Sequence, residues 1–398
     1  MRISSNTIFD SNVAALNQQQ ARLSHTQQQI TTGRRILTAA DDPVAAARAL
    51  DVSQSDAMNT QYTSNRNAAS STLTMAESTL QSVTSLIQDV RDATIGAENG
   101  SLTASNRTTI AAGLSGRLQE LVGLANSTDG AGNYLFAGFQ SKTQPFVDTS
   151  AGVAYFGDDG QRNIQVSASR QMASSNSGAD VFMRVKNGNG TFVTQAAPAN
   201  TGTGTVSLGS VSNPALLTGD NYSISFSVVG GVTTYDVTNT TTSAVVSGGN
   251  PYMSGQAISF DGMQFDIKGA PANGDVFTVA PSANESVFKT ISDLINALNA
   301  PVVGANLANS LTHGINSLDN ALSNVLNTQT SLGLRLNEVD SLQTSGDDLS
   351  LQFKKTLSQL QDVDYIKAAS DLAQQTTILQ AAQQSFVKVA NLTMFTYL

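Results

Sequence analysis

Few residues in this chain are able to carry out chemistry. Its 398 residues include no cysteine and two histidines, His25 and His313. The lack of cysteine excludes disulfides, thiolate nucleophiles and cysteine-based zinc or iron–sulfur sites. The sequence also lacks a Gly-x-Ser-x-Gly elbow, a Walker loop and a His-Glu-x-x-His zinc motif. We therefore predict that the protein is not an enzyme and needs no cofactor.

Acidic residues are the remaining candidates for a chemical role. Asp41 and Asp42 are adjacent, and paired carboxylates can act as general acid and base. However, no nucleophile or histidine stands beside them, and Pro43 follows directly. Because a carboxylate before proline is a common helix start, we predict that Asp42 caps a helix beginning at Pro43. Gly33 is expected to end the helix before it.

Two acidic, glycine-containing stretches, residues 129–133 and 157–160, suggest calcium binding. Neither has the spaced oxygen ligands of an EF-hand loop, so we interpret both as turns. The two histidines are interpreted as surface or seam residues. No metal site is predicted.

The charge of the chain bears on its partners. It has 30 acidic and 21 basic residues, a net charge of −9, and a charged fraction of 13%. An acidic chain does not suit a phosphate backbone, so nucleic acid is not an expected partner. No apolar run approaches the ~18 residues of a spanning helix, so no membrane association is expected. A weakly charged surface favours contact with copies of the same chain.

Composition divides the chain into three parts. Residues 140–285 hold six of the eight prolines and 18 of the 31 glycines. Residues 1–139 and 286–398 are rich in Ala, Leu, Gln, Asn and Ser. Because Gly and Pro interrupt long helices, we predict an α+β multidomain fold. The N- and C-terminal helices pair in a coiled-coil-like bundle, and the centre is a β-rich insertion.

Both flanks carry apolar residues at alternating steps of four and three, which is the spacing of a coiled-coil seam. In the first flank the seam consists of Leu73, Ala76, Leu80, Val83, Ile87 and Val90. In the second flank it runs from Leu311 to Val339 and is interrupted at Gln329. A narrow seam is not buried without a partner helix, so we predict that the two flanks form one stalk.

The two chain ends carry weaker seams that are candidate contact surfaces. The first has Gln20 and Gln27 at intervening core positions; its apolar members are Val13, Leu16, Leu23 and Ile30. The last segment supplies Leu372, Leu379, Phe386, Val389, Leu392, Phe395 and Leu398. We expect neighbouring copies to complete these interrupted seams. The alternative is that they are simply the core of an intramolecular bundle.

The central part predicts strands joined by tight turns. Alternating apolar residues flank Gly230-Gly231 and again flank Asp261-Gly262, so each stretch indicates a hairpin. Residues 276–279 predict a further strand. A small sandwich or barrel-like domain is expected, with no indicated ligand.

Motifs in the flanks resemble those of the flagellin-like axial proteins of bacteria. The matching stretches are Gly33-Arg34-Arg35-Ile36 with Asp41-Asp42-Pro43, Asn67-Ala68-Ala69, and Asp362-Val363-Asp364-Tyr365. One further element resembles the junction members of that family. It consists of Tyr134, Leu135, Phe136 and Gly138, followed by Pro145 and Phe146.

The resemblance implies a division of the chain into five parts. These are an assembly helix over 1–40, half a stalk over 41–139, a β-rich outer part over 140–285, the other half of the stalk over 286–361, and a second assembly helix over 362–398. Residues 191–285 are expected to be an additional insertion. The aromatic motif would seal the joint between helices and β structure.

The resemblance also implies a mechanical function. Copies of the chain would form a ring between the hook and the filament of the flagellum, beside hook-associated protein 1 and flagellin. The protein would be extracellular, exported without a cleaved signal peptide, and held in the cytosol by an export chaperone on its C-terminal apolar stripe. Two alternatives stay open: a flagellin that builds the filament, and an adhesin acting through the β insertion.

Overall fold

The computed structural model describes residues 5–301 and 303–395, with side chains described for all of these except 5, 6, 8 and 389–395. Helices occupy both flanks of the chain. They are α1 (Ser5–Thr32), α2 (Pro43–Ala97), α3 (Ala104–Ala125), α4 (Val287–Asn299), α5 (Ala305–Gln361) and α6 (Tyr365–Phe395). The fold is therefore the predicted α+β arrangement, with helical ends and a β-rich centre.

The centre contains fifteen strands among the described residues. They are β1 (Phe146–Thr149), β2 (Gly152–Tyr155), β3 (Asn163–Ser167), β4 (Arg170–Ala173), β5 (Val185–Lys186), β6 (Phe192–Ala196), β7 (Thr205–Val206), β8 (Ser210–Val211), β9 (Tyr222–Val229), β10 (Val232–Asn239), β11 (Ala244–Pro251), β12 (Ala257–Phe260), β13 (Met263–Lys268), β14 (Val276–Pro281) and β15 (Asn284–Glu285). A five-residue π-helix covers Ala179–Met183.

The chain forms two compact units. The terminal unit comprises the residues up to Ser64 together with those from Ser341 onward, and the central unit is Asn65–Asp340. Long helices α2 and α5 contribute residues to both units. In each unit the two flanks of the sequence pack against one another.

In the terminal unit α1 pairs with α6, and α2 pairs with α5. The α1–α6 pair is antiparallel, because Phe9 lies against Phe386 while Thr26 lies against Gln375. Between α2 and α5, the Asn59 amide donates to the carbonyl oxygen of Gly346 at 2.7 Å. Residues about 290 positions apart in the chain are therefore direct neighbours.

In the central unit the predicted seams form the core between α2 and α5. All six seam residues of α2 are buried, as are Leu311, Leu318, Val325, Leu332 and Val339 of α5. An ion pair at the edge of this seam joins Arg91 to Asp319, with Nε 2.6 Å from Oδ1. The prediction of paired flanks is confirmed.

Helix boundaries follow the capping residues of the sequence. Helix α2 begins at Pro43, and the Asp42 carboxylate accepts a hydrogen bond from the Ala45 amide at 3.0 Å. Helix α1 ends before Gly33, which has a φ of +71°. An L-residue with a side chain rarely adopts this conformation, so the glycine suits the helix end. Both boundary predictions are confirmed.

Two sheets of the central unit share one core. A five-stranded sheet has the order β11-β10-β9-β14-β6, and a second sheet has β13 between β12 and β7, with β8 also paired to β13. Their facing side chains form one cluster that includes Phe192, Ile224, Phe265 and Phe277. Both predicted hairpins are present, and Asp261 and Gly262 have φ values of +42° and +78°, as a type I′ turn requires.

The β3–β4 hairpin is attached to both long helices of the central unit. The guanidinium of Arg66, buried on α2, donates to the carbonyl oxygen of Val166 at 2.9 Å. On the α5 side, Arg170 forms a two-point pair with Glu338, at 2.6 and 2.9 Å. The hairpin is therefore a fixed part of the central unit.

Candidate assembly surface and aromatic joint

The predicted contact residues of the chain ends line the α1–α6 pair. Val13, Leu16, Leu23 and Ile30 on α1 are each half-buried, as are Leu372, Leu379 and Phe386 on α6. Val389, Leu392 and Phe395 also belong to α6, but their side chains lie outside the described part of the chain. Leu398 lies outside the described residues altogether.

The pair leaves apolar surface uncovered within the chain. A groove of about 350 Å³ runs between the helices, lined by Asn12, Ala15, Leu16, Gln19, Ile378, Ala382, Ser385 and Phe386. On the same two helices, Phe9 is 50% exposed, Ile378 46% and Val387 55%. One helix against one helix therefore buries only part of the apolar surface that the two present.

The polar seam positions of α1 differ from the predicted ones. Gln20 and Gln27 are exposed, while Gln19 is half-buried and Thr26 is buried. The apolar residues Leu16 and Leu23 are seven positions apart, and a heptad seam has one further position between them. That position can lie four residues after Leu16, at Gln20, or three residues after it, at Gln19. Contact with α6 selects the second of these spacings, so Gln19 and, one heptad later, Thr26 lie in the seam.

The family-like motifs of the two chain ends meet where these helices end. The Val363 amide donates to the carbonyl oxygen of Gly33 at 3.0 Å, and the Arg35 amide donates to that of Gln361 at 2.6 Å. The Arg35 guanidinium also donates to the carbonyl oxygen of Leu360 at 2.9 Å, so it caps the C-terminus of α5. The two connecting segments are thereby bound to each other.

The paired carboxylates at this place are structural. Asp41 accepts the backbone amides of Leu37 and Thr38, each at 2.8 Å, and its second oxygen lies 3.0 Å from His25 Nε2. The Thr38 and Leu37 amides, followed by His25, hold the pKa of Asp41 below its usual value. A carboxylate kept ionised in this way stabilises the turn before α2 and is poorly suited to act as a general acid.

The aromatic motif forms the centre of a second cluster, in the central unit. Leu135, Phe136, Pro145 and Phe146 are buried, whereas Tyr134 is half-buried. The Phe146 ring centroid lies 5.1 Å from that of Tyr155, 5.4 Å from that of Phe182 and 5.2 Å from that of Phe288. Phe136 meets Phe182 edge-on at 5.4 Å. We call this cluster the aromatic joint.

The aromatic joint connects helices to strands. Phe288 belongs to α4, and Asn126, just after α3, exchanges two hydrogen bonds with the backbone of Phe146, at 2.7 and 2.9 Å. Phe146 and Tyr155 are opposite one another on β1 and β2. Motif, helices and hairpin therefore share one core, although Phe288 carried no signal in the sequence that would place it there.

A carboxylate turn holds the loop after the motif. Asp158 accepts the amides of Phe139, Gln140 and Gly160 at 2.7–3.0 Å, and the first of these bonds contributes most to lowering the pKa of Asp158. Asp129 similarly accepts the amides of two residues in its own turn. Both predicted turns are confirmed. Within the described residues, no group of three or more His, Asp or Glu is arranged to hold a metal ion.

None of the aromatic side chains in residues 191–285 is fully exposed. The aromatic residues of 191–285 all belong to its core or pack against it: Phe192, Tyr222, Phe226, Tyr235, Tyr252, Phe260, Phe265 and Phe277. An adhesin that stacks sugars on exposed rings would need the opposite placement. None of the helices in the described residues is long and apolar enough to cross a membrane.

Helices from both chain ends paired around a β-rich insertion define a flagellin-like axial protein. Residues 3–141 match the family described as the bacterial flagellin N-terminal helical region. Residues 196–281 match the D2-like domain of flagellar hook-associated protein 1. The resemblance seen in the terminal motifs is confirmed.

Comparison with individual relatives shows which members of this class the chain is similar to. A crystal structure of flagellar hook-associated protein 3 from Legionella pneumophila is 33% identical, covers 78% of this chain and 98% of that chain, and gives a TM-score of 0.73. FlgL from Xanthomonas campestris is 31% identical, with coverages of 77% and 99% and a TM-score of 0.72. Flagellar hook-associated protein 3 of Salmonella typhimurium LT2 is 26% identical over 99% of both chains.

The chain belongs to the flagellar hook-associated protein 3 family, the junction proteins of the flagellum. Members of this family are structural proteins, so the prediction that the chain is not an enzyme is confirmed. The prediction of a flagellar junction protein is therefore confirmed, in place of the alternative of a filament-building flagellin.

Proposed function

We propose that copies of this chain form a ring that joins the hook of the flagellum to its filament. The single observation that carries the proposal is that the α1–α6 pair leaves a groove and several apolar side chains uncovered, in a chain that belongs to a family of junction proteins. Apolar surface left open on a single copy is buried when copies assemble. The residues that we assign to this contact are the eleven seam residues of the two chain ends.

The proposal gives each part of the chain a task. Residues 1–40 and 362–398 would make the contacts between subunits, and 41–139 with 286–361 would form the stalk. Residues 140–285 would face outward, with 191–285 as an additional domain. The aromatic joint supports this division, because it would fix the outer part to the stalk and transmit force between them.

The proposed neighbours follow from the position of such a ring. Hook-associated protein 1 would lie on the hook side and flagellin on the filament side. The ring would be extracellular, and the chain would be exported without a cleaved signal peptide. In the cytosol an export chaperone would cover the C-terminal apolar stripe around Leu379, Phe386 and Val389.

Deletion of the gene tests the function. The expected result is cells with hooks but without filaments, and with flagellin shed into the medium, because the filament has nothing to attach to. A plasmid copy of the full chain should restore filaments. If the deletion strain still carries attached filaments of normal length, the proposed function is wrong.

A further inference from the structure

One polar contact stands out at the centre of the α1–α6 seam. Of the α1 side chains that the structure describes, Thr26 alone is buried, at 7% exposure. Its hydroxyl lies 3.1 Å from Oε1 of Gln375 on α6, and 3.2 Å from the carbonyl oxygen of Arg22 on its own helix. The first of these contacts links residues 349 positions apart in the chain.

The apolar residues around this contact do not by themselves determine how far one helix slides along the other. On α1, Leu16, Leu23 and Ile30 are spaced seven residues apart. On α6, Leu372, Leu379 and Phe386 have the same spacing. A slide of seven residues, about 10.5 Å along the axis, therefore again places large apolar residues opposite one another.

The Thr26–Gln375 contact is different because it occurs once. After the slide of one heptad that brings Leu23 opposite Ser385, Thr26 faces Ala382 and Gln375 faces Gly33. Neither alanine nor glycine offers a side-chain partner, so the Gln375 amide would lose this bond and the Thr26 hydroxyl would keep only the carbonyl oxygen of Arg22 as an acceptor. A single polar pair in an apolar seam is a known means of specifying register in coiled coils.

We propose that the hydrogen bond between Thr26 and Gln375 sets the register of α1 against α6. This proposal rests on the proposed function, since the register decides which side chains line the groove offered to the next subunit. In the observed register, Leu16 shares the groove with Ser385 and Phe386. A slipped pair would present a different surface and would not fit its neighbours.

Cysteine cross-linking measures the register directly, because the chain has no native cysteine. Ser385→Cys combined with Leu16→Cys reports the observed register, since both residues line the groove. Ser385→Cys combined with Leu23→Cys reports a slide of one heptad. Each pair is introduced into the full chain, which is oxidised both as purified protein in solution and in isolated flagella, because a slipped chain is not expected to assemble. Intramolecular products are separated by gel mobility and identified by mass.

The test compares three backgrounds. In the otherwise unchanged chain, and with Thr26→Ser, which keeps the hydroxyl, the 16–385 product should predominate and the 23–385 product should stay at a low reference level. With Thr26→Val and Gln375→Leu together, the 23–385 product should rise about fivefold or more, the factor that the loss of one ordinary hydrogen bond gives. Helix content should not change, because the seam becomes more apolar.

The outcomes distinguish a failure of the register proposal from a failure of the proposed function. If the purified Thr26→Val, Gln375→Leu chain gives no more of the 23–385 product than the unchanged background, the hydrogen bond does not set the register and the proposal is overturned. If the unchanged background fails to give the 16–385 product in assembled flagella, then α1 and α6 are not paired there. That result would overturn this proposal and also the contact surface assigned under the proposed function.

Discussion

At the scale of single residues, the aromatic joint gives a direct test of stability. Phe146 is fully buried, and its ring contacts rings from β2, the π-helix and α4. Replacing a large buried ring by alanine removes its transfer free energy and leaves a cavity. The cluster should therefore respond strongly to truncation at its centre.

The first prediction concerns this ring. Phe146→Ala should lower the free energy of unfolding by about 3–5 kcal/mol, measured by denaturant titration. Phe139→Ala is the matched control, because Phe139 is 64% exposed and only two residues beyond Phe136–Ala137 of the motif. The control should change stability by less than about 0.5 kcal/mol. Equal losses in the two variants would contradict the account of the joint.

The second prediction concerns the glycine of the motif. Gly138 has a φ of +69°, and a Cβ there would lie 2.3 Å from Oδ1 of Asp158. Gly132 has a φ of +74° but has open space at that position. Gly132→Ala should therefore cost about 1–2 kcal/mol from backbone strain alone. Gly138→Ala should lower the free energy of unfolding by clearly more, because Asp158 must also move. Equal denaturant midpoints for the Gly132→Ala and Gly138→Ala variants would refute this.

Residue roles at helix boundaries could be predicted, whereas roles in long-range clusters could not. Asp42, Pro43 and Gly33 act through neighbours within four positions, so the local sequence contains the whole signal. Phe288 joins Phe146 across 142 positions, and nothing near either residue encodes that contact. Arg35 likewise caps α5 from the other end of the chain.

At the scale of elements, the connection between α1 and α2 depends on an ionised carboxylate. Backbone amides keep the pKa of Asp41 below the ordinary value of 3.8. A group with a lowered folded pKa stabilises the fold fully above the unfolded value. That contribution is lost as the pH falls through the folded value. Acid should therefore loosen the turn before α2.

Hydrogen exchange provides the third prediction. Protection factors of the Leu37 and Thr38 amides should be constant well above pH 3.8 and should fall as the pH drops further below that value. The Val363 amide is the internal control, because it donates to the carbonyl oxygen of Gly33 and not to a titrating group. A parallel decline at all three amides would indicate general unfolding and would contradict a role for Asp41.

The elements themselves illustrate what periodicity can specify. The α2 seam has an apolar residue at every heptad position that faces α5, so the buried face of this helix could be predicted directly from the sequence. In α1 the apolar residues leave gaps of seven, and the intervening position is ambiguous between Gln19 and Gln20. Only the partner helix resolves that ambiguity, and a single sequence does not contain the pairing.

At the scale of the whole molecule, composition predicted the division into helical flanks and a β-rich centre. The pairing of the flanks followed because each has a seam without a local partner. The arrangement of strands in two sheets sharing one core could not be predicted, since strand order depends on contacts across many turns. The terminal contact surface was located by its seams, but its groove was found only in the structure.

The fourth prediction tests that surface. Phe386→Asp should abolish binding of the export chaperone and assembly together. Both are proposed to bury this ring, and burial of a phenylalanine is worth about 1.5–3 kcal/mol. Gln384→Asp, at an exposed position on the same helix, is the charge-matched control and should preserve motility. Normal chaperone affinity and motility with Phe386→Asp would refute the assignment.

The most direct measurement of the central claim is the position of this chain on intact flagella. Immunogold labelling of isolated hook–filament complexes should place it in one narrow band where the hook meets the filament. Labelling along the length of the filament would contradict a junction ring.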